Sequence, residues 1–430
     1  MSRIGTWLGM TPAVFAAGVG LPLSAAPLRA ATVEVPAGAG RLAAALAAAA
    51  PGDVLKLAPG VHDGPVALGK PVTLEGAPSA IVDGHGIGRT IEVTAPDVAI
   101  RGLAIRGSGM SLETMDAAVF LAETAARAVV EDNDIEENLV GIYIHGAPSA
   151  VARGNRIVGR VLEHPNDSGN GVYVWNAPGA QVIDNDISGG RDGIFTNASR
   201  NNRFVGNTLH GVRFAIHYMY TNASEVSGNT SIGNHAGFVI MYSDHLTISD
   251  NVSDQDRDQG LLLNYANDAE ITGNAVRGSA TGVFIYNANK NDFRRNRFED
   301  CGIGIHFTAG AERNTITENA FIGNRTQVMY VGTRSLDWSD KGRGNYWSDN
   351  AAFDLNGDGI ADTAYRPNGI VDQVLWRAPA AKLLLNSPAV EVVRWAQRQF
   401  PAIHPGGVID SAPLMAPPAI PAADRLEARP

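Results

Sequence analysis

The sequence predicts an all-β fold, a right-handed single-stranded parallel β-helix, and three observations carry that prediction. An asparagine recurs at Asn133, Asn155, Asn185, Asn207, Asn229, Asn251, Asn274, Asn296 and Asn319, with seven of the eight intervals 22 or 23 residues and the other 30. A small residue follows most of these asparagines by eight positions: Gly141, Gly193, Ala215, Gly237, Gly282 and Gly304, with Gly260 nine after Asn251 and Gly171 holding the place in the long interval. Each small residue opens a short apolar run, as in Gly237-Phe-Val-Ile240 and Gly260-Leu-Leu-Leu263. A fixed period in the twenties without heptads describes coils that bury their apolar faces only against neighbouring coils. Asparagine suits the corner of such a coil because it tolerates the left-handed backbone and can hydrogen-bond from turn to turn in a ladder.

Residues 1–30 read as an export signal: Arg3 supplies the charge, an apolar run extends from Trp7 to Leu23, and small residues from Ala25 to Ala31 offer a cleavage region. The mature protein is then expected to be soluble and exported, without a lipid anchor. Residues 31–330 are assigned to the β-helix, with the alanine-rich stretch Arg41 to Ala50 as a capping helix over its open end. Gly52 to Gly60 reads as the first strand and turn, and Val72-Thr-Leu74 and Val98-Ala-Ile100 as rungs without the asparagine. The long interval contains an insertion, Leu162 to Gly169, of the kind that forms a loop on one face of a solenoid. The period stops near Tyr330, and residues 331–416 form a mixed carboxy-terminal segment with a helix from Pro388 to Phe400, N-capped by Ser387. Residues 417–430, rich in proline and alanine, are expected to be disordered.

Composition agrees with one elongated core: 48 glycines and 23 prolines suit a coil of short strands better than several compact domains. The net charge of −10 and the lack of a basic stripe with interleaved aromatics argue against a nucleic-acid partner. Cys301 is the only cysteine, which excludes an intramolecular disulfide and reads as a small buried hydrophobe.

Alternation within each strand separates inside from outside. Ile142/Ile144, Val172/Val174, Phe238/Ile240, Leu261/Leu263 and Val283/Ile285 point inward, together with the polar Thr196 and the phenolic Tyr218. One outward column is then Tyr143, Tyr173, Phe195, His217, Val239, Leu262, Phe284 and His306; the other is His145, Trp175, Asn197, Met219, Met241, Asn264, Tyr286 and Thr308. These columns are too apolar for an idle solvent face. They predict either a partner-docking surface, with Tyr143, Tyr173, Trp175, Phe195, Phe284 and Tyr286 as its anchors, or a face covered by the carboxy-terminal segment. The helix from Pro388 gathers Ala389, Val392, Val393, Ala396 and Phe400 into an apolar stripe, and Val393 and Phe400 are docking candidates there.

Two patterns suggest metal chemistry. Asp354, Asn356, Asp358, Gly359 and Asp362 match a calcium-loop pattern of oxygen ligands at alternate positions with a glycine at the sharp turn. Tyr365 stands where the bidentate glutamate belongs, so the alternatives are a weak calcium site, one completed from elsewhere by Asp372, or an acidic turn. The second pattern is soft: Met219 and Met241 share a column on successive turns and His217 lies two residues before Met219. An imidazole and two thioethers so placed either converge on Cu(I) or fill an interface.

Several of these segments carry a family resemblance: Ala215-Ile-His-Tyr-Met-Tyr-Thr-Asn222, Gly237-Phe-Val-Ile-Met-Tyr-Ser-Asp244, Gly344-Asn-Tyr-Trp-Ser-Asp349, the acidic loop, Trp376 to Ala389, Val393 to Gln397 and Asp410-Ser-Ala-Pro-Leu-Met415. Nearly the whole mature chain resembles the periplasmic NosD family of nitrous oxide reductase maturation factors. The resemblance implies a non-catalytic periplasmic component, associated with the inner membrane through an ABC transporter. Its implied partners are the transporter's membrane subunit with its cytoplasmic ATPase, a copper chaperone and nitrous oxide reductase, whose copper-sulfur centre it helps assemble. The competing class is a carbohydrate-active β-helix enzyme, a lyase, hydrolase or uronate epimerase. Its candidate acids and bases are Asp250, Asp254, Asp256, Arg257 and Asp258, with Arg191 and Asp192 one column away.

Overall fold

The computed structural model describes residues 30–332, 334–369, 371–372, 374, 379–384, 387–399 and 407–428. The export signal expected over 1–30 lies, but for Ala30, outside the described residues, and so does Phe400.

The chain winds into a parallel β-helix whose turns each contribute one strand to each of three sheets. Sheet A has 13 strands, from Thr32–Val35 to Thr315–Thr317; sheet B has 13, from Gly60–Asp63 to Tyr346–Trp347; sheet C has 12, from Val66–Leu68 to Thr326–Val331. The inward side chains of all three sheets form one continuous core, in which Ile142, Val172, Ile194, Ile216, Ile240 and Leu263 are wholly buried. Like residues stack on like because the strands of the three sheets pair in parallel and, apart from a shift at Glu136–Asn138, in register, so the sequence period is converted directly into columns.

The recurring asparagine occupies the corner between sheets A and B. Asn229 shows the pattern: its Nδ2 donates to Phe204 O at 2.8 Å and to Asn251 Oδ1 at 3.0 Å, while its own Oδ1 accepts the backbone N–H and the side-chain N–H of Asn207, both at 2.9 Å. These side chains are buried, so the ladder satisfies polar groups that water cannot reach. The left-handed backbone, however, belongs to the residue before each asparagine, not to the asparagine itself: Asp132, Gly154, Asp184, Gly206, Gly228, Asp250, Gly273, Arg295 and Glu318 all have φ between 52° and 70°. One such residue turns the corner, and the asparagine that follows is free to aim its amide inward.

Several boundaries differ from those the sequence suggests. The strand Thr32–Val35 precedes the capping helix α1 (Arg41–Ala48) and pairs with Val54–Leu57, so the helix is inserted between the first two rungs, with Leu42 buried beneath it. The asparagine ladder does not stop near Tyr330. An insertion lengthens one more interval to 26 residues, and Asn345 forms a tenth rung by accepting from Asn319 N and Nδ2, both at 3.0 Å. The returning carboxy-terminal segment then closes the ladder: Asp410 Oδ2 accepts from Asn345 N and from the Trp347 indole, both at 2.7 Å.

The helix near Pro388 forms as expected, here α2 (Pro388–Gln399), with Ser387 Oγ accepting from Val390 N at 3.4 Å. The expected disorder of residues 417–430 is corrected: Pro421–Glu427 is a helix, α3, docked against the outer face of sheet B. The reason is a small apolar patch on that face, Val252, Ala275 and Ala320, which Ile420, Ala422, Ala423 and Leu426 cover. Arg297 adds an ion pair to Glu427 at 3.1 Å.

Candidate functional site

Sheet C carries the outward columns. Its register places Phe195, His217, Val239, Leu262, Phe284, His306 and Met329 on successive strands, and Asn197, Met219, Met241, Asn264 and Tyr286 in the column beside them. The amino-terminal half of the first column is an aromatic stack, with ring centroids 4.6 Å apart for Tyr143 and Tyr173, 5.0 Å for Tyr173 and Phe195, and 4.8 Å for Phe195 and His217. Trp175 stacks on His145 at 4.5 Å in the second column. Stacking buries much of this face: Tyr143 is only 5 % exposed, Tyr173, Trp175, Phe195 and Phe284 are half-buried, and Tyr286 is exposed. Sequence reasoning missed a further exposed ladder at the edge of the sheet, where Tyr220, Tyr242 and Tyr265 stack at 5.1 and 5.2 Å. The recurrence of tyrosine one residue after the second column was its signal.

The soft constellation assembles as the register requires. Met219 and Met241 are direct partners on adjacent strands, and His217 lies two residues before Met219 on the same outward face, between the inward Ile216 and Tyr218. The strand beginning at Asp192 supplies what the sequence did not reveal. Asp192, 1 % exposed, meets His217 Nδ1 through Oδ2 at 3.1 Å. The same carboxylate accepts from Arg213 Nε at 2.8 Å and Nη2 at 2.7 Å. Burial pushes the Asp192 carboxyl upward, but the hydrogen bonds from His217 and Arg213 and the Arg213 charge outweigh it and hold the group below the ordinary carboxylate range.

An anionic carboxylate at Nδ1 selects the tautomer that carries its proton there, which leaves a lone pair on Nε2. That Nε2 is buried and has no hydrogen-bond partner. Phe195 on one side and the edge-on Phe214, 5.2 Å away, fix the ring plane. The result is an oriented imidazole on the sheet face that also carries the half-buried thioethers of Met219 and Met241, residue types suited to a soft monovalent cation.

The acidic loop is arranged differently. Asp354 accepts from Gly357 N at 2.6 Å and Gly359 N at 2.8 Å, Asp358 from Ile360 N at 2.9 Å, and Asp362 from Leu355 N at 2.7 Å. Asn356 bonds with Asp358 rather than turning its carbonyl into a shared centre. The Tyr365 hydroxyl goes to Asp349, and Asp372 caps Gly369. Asp354, Asp358 and Asp362 thus each accept from a backbone N–H of the turn, and no three His, Cys, Asp or Glu side chains converge among the described residues.

The candidate acids for carbohydrate chemistry are not brought together either. Asp256 is wholly buried, bonded to Ser231, Ser253 and the backbone of Asn234, and burial raises its pKa. Asp254 is clamped by Arg277, Asp258 pairs with His235 at 3.2 Å, and Asp250 sits at an exposed corner. Cys301 is buried, as expected, and burial pushes its thiol up to about 11. On α2, Val393 is 36 % exposed, beside Val392 at 62 % and Trp395 at 54 %.

Comparison with known proteins bears on these arrangements. Residues 151–352 match the family model described as periplasmic copper-binding protein (NosD), a span that contains His217, Met219 and Met241 and the outward columns from Tyr173 and Trp175 onward. A protein of Stutzerimonas stutzeri named probable ABC transporter binding protein NosD is 39 % identical over 375 residues, 84 % of this chain and 86 % of its own. Its namesake in Pseudomonas aeruginosa is 36 % identical over 377 residues, 84 % of this chain and 88 % of its own. Among solved structures, the surface adhesin PfbA of Streptococcus pneumoniae aligns with a TM-score of 0.53 at 10 % identity, covering 67 % of this chain and 86 % of that one. A family 28 exopolygalacturonase of Yersinia enterocolitica aligns equally well, at 12 % identity over 70 % and 77 %. An adhesin and a glycosidase on one scaffold show that these two likenesses speak for the fold alone.

Proposed function

The chain belongs to the NosD family of periplasmic copper-binding proteins, and from that premise we propose that it receives Cu(I) at His217, Met219 and Met241 and passes it on during assembly of the copper-sulfur centre of nitrous oxide reductase. The observation that carries the assignment is the buried, unpartnered Nε2 of His217, set by Asp192 beside two methionines in register. A carboxylate that accepts from the far N–H of a ligand imidazole orients the ring in this way in metal sites generally. Neutral thioether and imidazole ligands hold copper less firmly than thiolates do, which suits a protein that must release its cargo. The work is accessory rather than catalytic in this reading: metal is held and transferred, and no bond of a substrate is made or broken.

The partners proposed are those the family resemblance implies. A copper chaperone delivers the ion, nitrous oxide reductase receives it, and the membrane subunit of an ABC transporter, with its cytoplasmic ATPase, anchors the protein at the periplasmic side of the inner membrane. We assign the transporter contact to α2, whose Val392, Val393 and Trp395 are exposed, and the protein contacts of sheet C to Tyr173, Trp175, Phe195, Phe284 and Tyr286. Val393→Glu/Trp395→Glu is expected to abolish co-purification with the transporter while the β-rich circular dichroism persists.

The copper assignment is tested by Cu(I) titration against a colorimetric competitor with the wild type, Met219→Leu/Met241→Leu and His217→Ala. Leucine keeps volume and apolarity but cannot ligate. The variants are expected to lose the tight equivalent of copper with their fold intact; undiminished tight binding in the double leucine variant would sink the assignment.

A further inference from the structure

The first outward column of sheet C does not end in an aromatic or a polar residue. It ends in His306 followed directly by Met329, paired on the last two strands of the sheet, Ile303–Thr308 and Thr326–Val331. The alternation on both strands is unambiguous. Ile305 and Phe307 flank His306 and point into the core, 0 and 3 % exposed; Val328 and Tyr330 flank Met329 and do the same, 0 and 4 % exposed. The imidazole and the thioether therefore stand side by side on the outside, both half-buried, with backbones at the ~4.8 Å spacing of neighbouring strands.

From this arrangement we infer a second Cu(I) station on the same face, made by His306 and Met329. The imidazole is unclaimed by the protein: neither ring nitrogen of His306 is hydrogen-bonded to a described residue, and the ring's aromatic neighbour is Phe284, edge-on at 4.8 Å. Partial burial lowers its pKa below the ordinary histidine value, which keeps it in the neutral form that a metal requires. A structural histidine on a sheet face would ordinarily use at least one nitrogen, as His217 uses Nδ1 and His145 uses its Nδ1 toward the Tyr143 hydroxyl.

The two stations are separate. Val239, Leu262 and Phe284 lie between His217 and His306 in the column, so the imidazoles are four strands apart, about 19 Å at the usual spacing. The intervening side chains offer no ligand, and one ion cannot bridge that distance. The donor sets also differ. The first station has three donors and an oriented ring; the second has two donors and a ring without a carboxylate behind it. Cu(I) accepts low coordination, so the second station binds, and it binds more weakly. Its position on the edge strand places it beside the carboxy-terminal segment, where Asn368 Nδ2 donates to Val328 O at 2.6 Å.

The inference rests on the copper reading of the first station only for the identity of the cargo, and the experiment separates the two. Anaerobic Cu(I) titration of the full chain, with competitors of graded strength, is expected to give two equivalents, one tight and one at least tenfold weaker. Met329→Leu and His306→Phe should each remove the weaker equivalent and leave the tight one, with circular dichroism unchanged. Met219→Leu/Met241→Leu should remove the tight one and leave the weaker. Copper X-ray absorption of the Met219→Leu/Met241→Leu variant loaded with one equivalent should still show a sulfur neighbour, which disappears when Met329→Leu is added. A wild type that binds one equivalent unaffected by Met329→Leu overturns the second station. Loss of copper on Met329→Leu with none lost on Met219→Leu/Met241→Leu supports it and removes the first.

Discussion

His217 and Asp192 are joined across successive turns, imidazole Nδ1 to carboxylate Oδ2 over 3.1 Å, and the contact leaves Nε2 as the only ring nitrogen free to bind. Asp192 touches no cargo in this arrangement; it positions the residue that does. Asp192→Asn preserves the shape but offers the ring either an N–H donor or a neutral acceptor, so the tautomer is no longer enforced. Cu(I) affinity at the tight station should fall about 10- to 100-fold, the usual cost of losing an outer-shell partner. Unchanged affinity would remove Asp192 from the site and leave it a structural ion pair with Arg213.

The same carboxylate makes a stability prediction whose sign follows from its depressed pKa. Folding favours the charged form, so the contribution is fully present above the unfolded value, near pH ~4, and is lost as the pH falls through the lower folded value. Asparagine cannot titrate. The stability gap between wild type and Asp192→Asn should therefore be widest at neutral pH, on the order of 3–5 kcal/mol for a buried pair deprived of one partner. Urea unfolding at pH 7 and pH 3 should show the gap closing toward acid; a gap that widens in acid contradicts the assignment of the charge.

The asparagine ladder should be stiff against truncation in its middle. Asn229→Ala leaves Asn207 N without a partner in a dry corner and removes one hydrogen bond each from Phe204 O and from the Asn207 amide, which keeps Val182 O; a buried donor so orphaned costs ~1–3 kcal/mol and each lost bond about 1 kcal/mol. Shared relaxation reduces the sum, and roughly 3 kcal/mol is expected from equilibrium unfolding. Gly228→Ala tests the corner separately, because φ there is 65° and the penalty is one of backbone conformation rather than hydrogen bonding.

The coil, its period and the facing of every sheet C column were legible because parallel stacking maps one repeat onto the next, so residue spacing is geometry. Met219 opposite Met241 is read from a difference of 22 in residue number. The partners that complete the site were not legible in the same way. Asp192 opens its strand three residues before Phe195, in another column, and reaches His217 only because the carboxylate leans across the turn; nothing periodic announces it. Asn345 escaped because its interval is 26, and helix α3 because four apolar residues in a proline- and alanine-rich tail mean little until Val252, Ala275 and Ala320 are seen to lack a cover. The acidic loop shows its pattern in residue type, and the sequence did not reveal that its carboxylates also accept from the backbone N–H groups of Leu355, Gly357, Gly359 and Ile360.

Helix α3 should be separable from the coil. Leu426 is 1 % exposed against sheet B, and Leu426→Asp places a charge where only apolar atoms offer contact. The tail should detach, the rate of proteolysis beyond residue 416 should rise, and amide exchange should increase on the Val252–Asp254 and Ala275–Arg277 strands. Thermal unfolding of the coil itself should move little, because each turn is held by its two neighbours and not by the tail. A collapse of the main transition would mean that α3 is part of the cooperative unit.

Tyr218 sits on the reverse of the copper strand, between His217 and Met219, and points into the core with no exposed surface. Its hydroxyl is buried without a hydrogen-bond partner, although the ring packs well, 5.3 Å from Phe204. Burial also drives the phenol's pKa well above its ordinary value. An unsatisfied hydroxyl in an apolar interior costs about 1–3 kcal/mol, while the ring that carries it contributes burial and stacking. Tyr218→Phe removes the cost and keeps the contribution, so the variant should be as stable as the wild type or more so by about 1 kcal/mol. Copper affinity should not change, because the hydroxyl faces away from the ligands across the thickness of the sheet. A clear loss of stability in Tyr218→Phe would show that the hydroxyl has a partner in solution, a water held inside the coil, and that the core behind the copper strand is wet at that point.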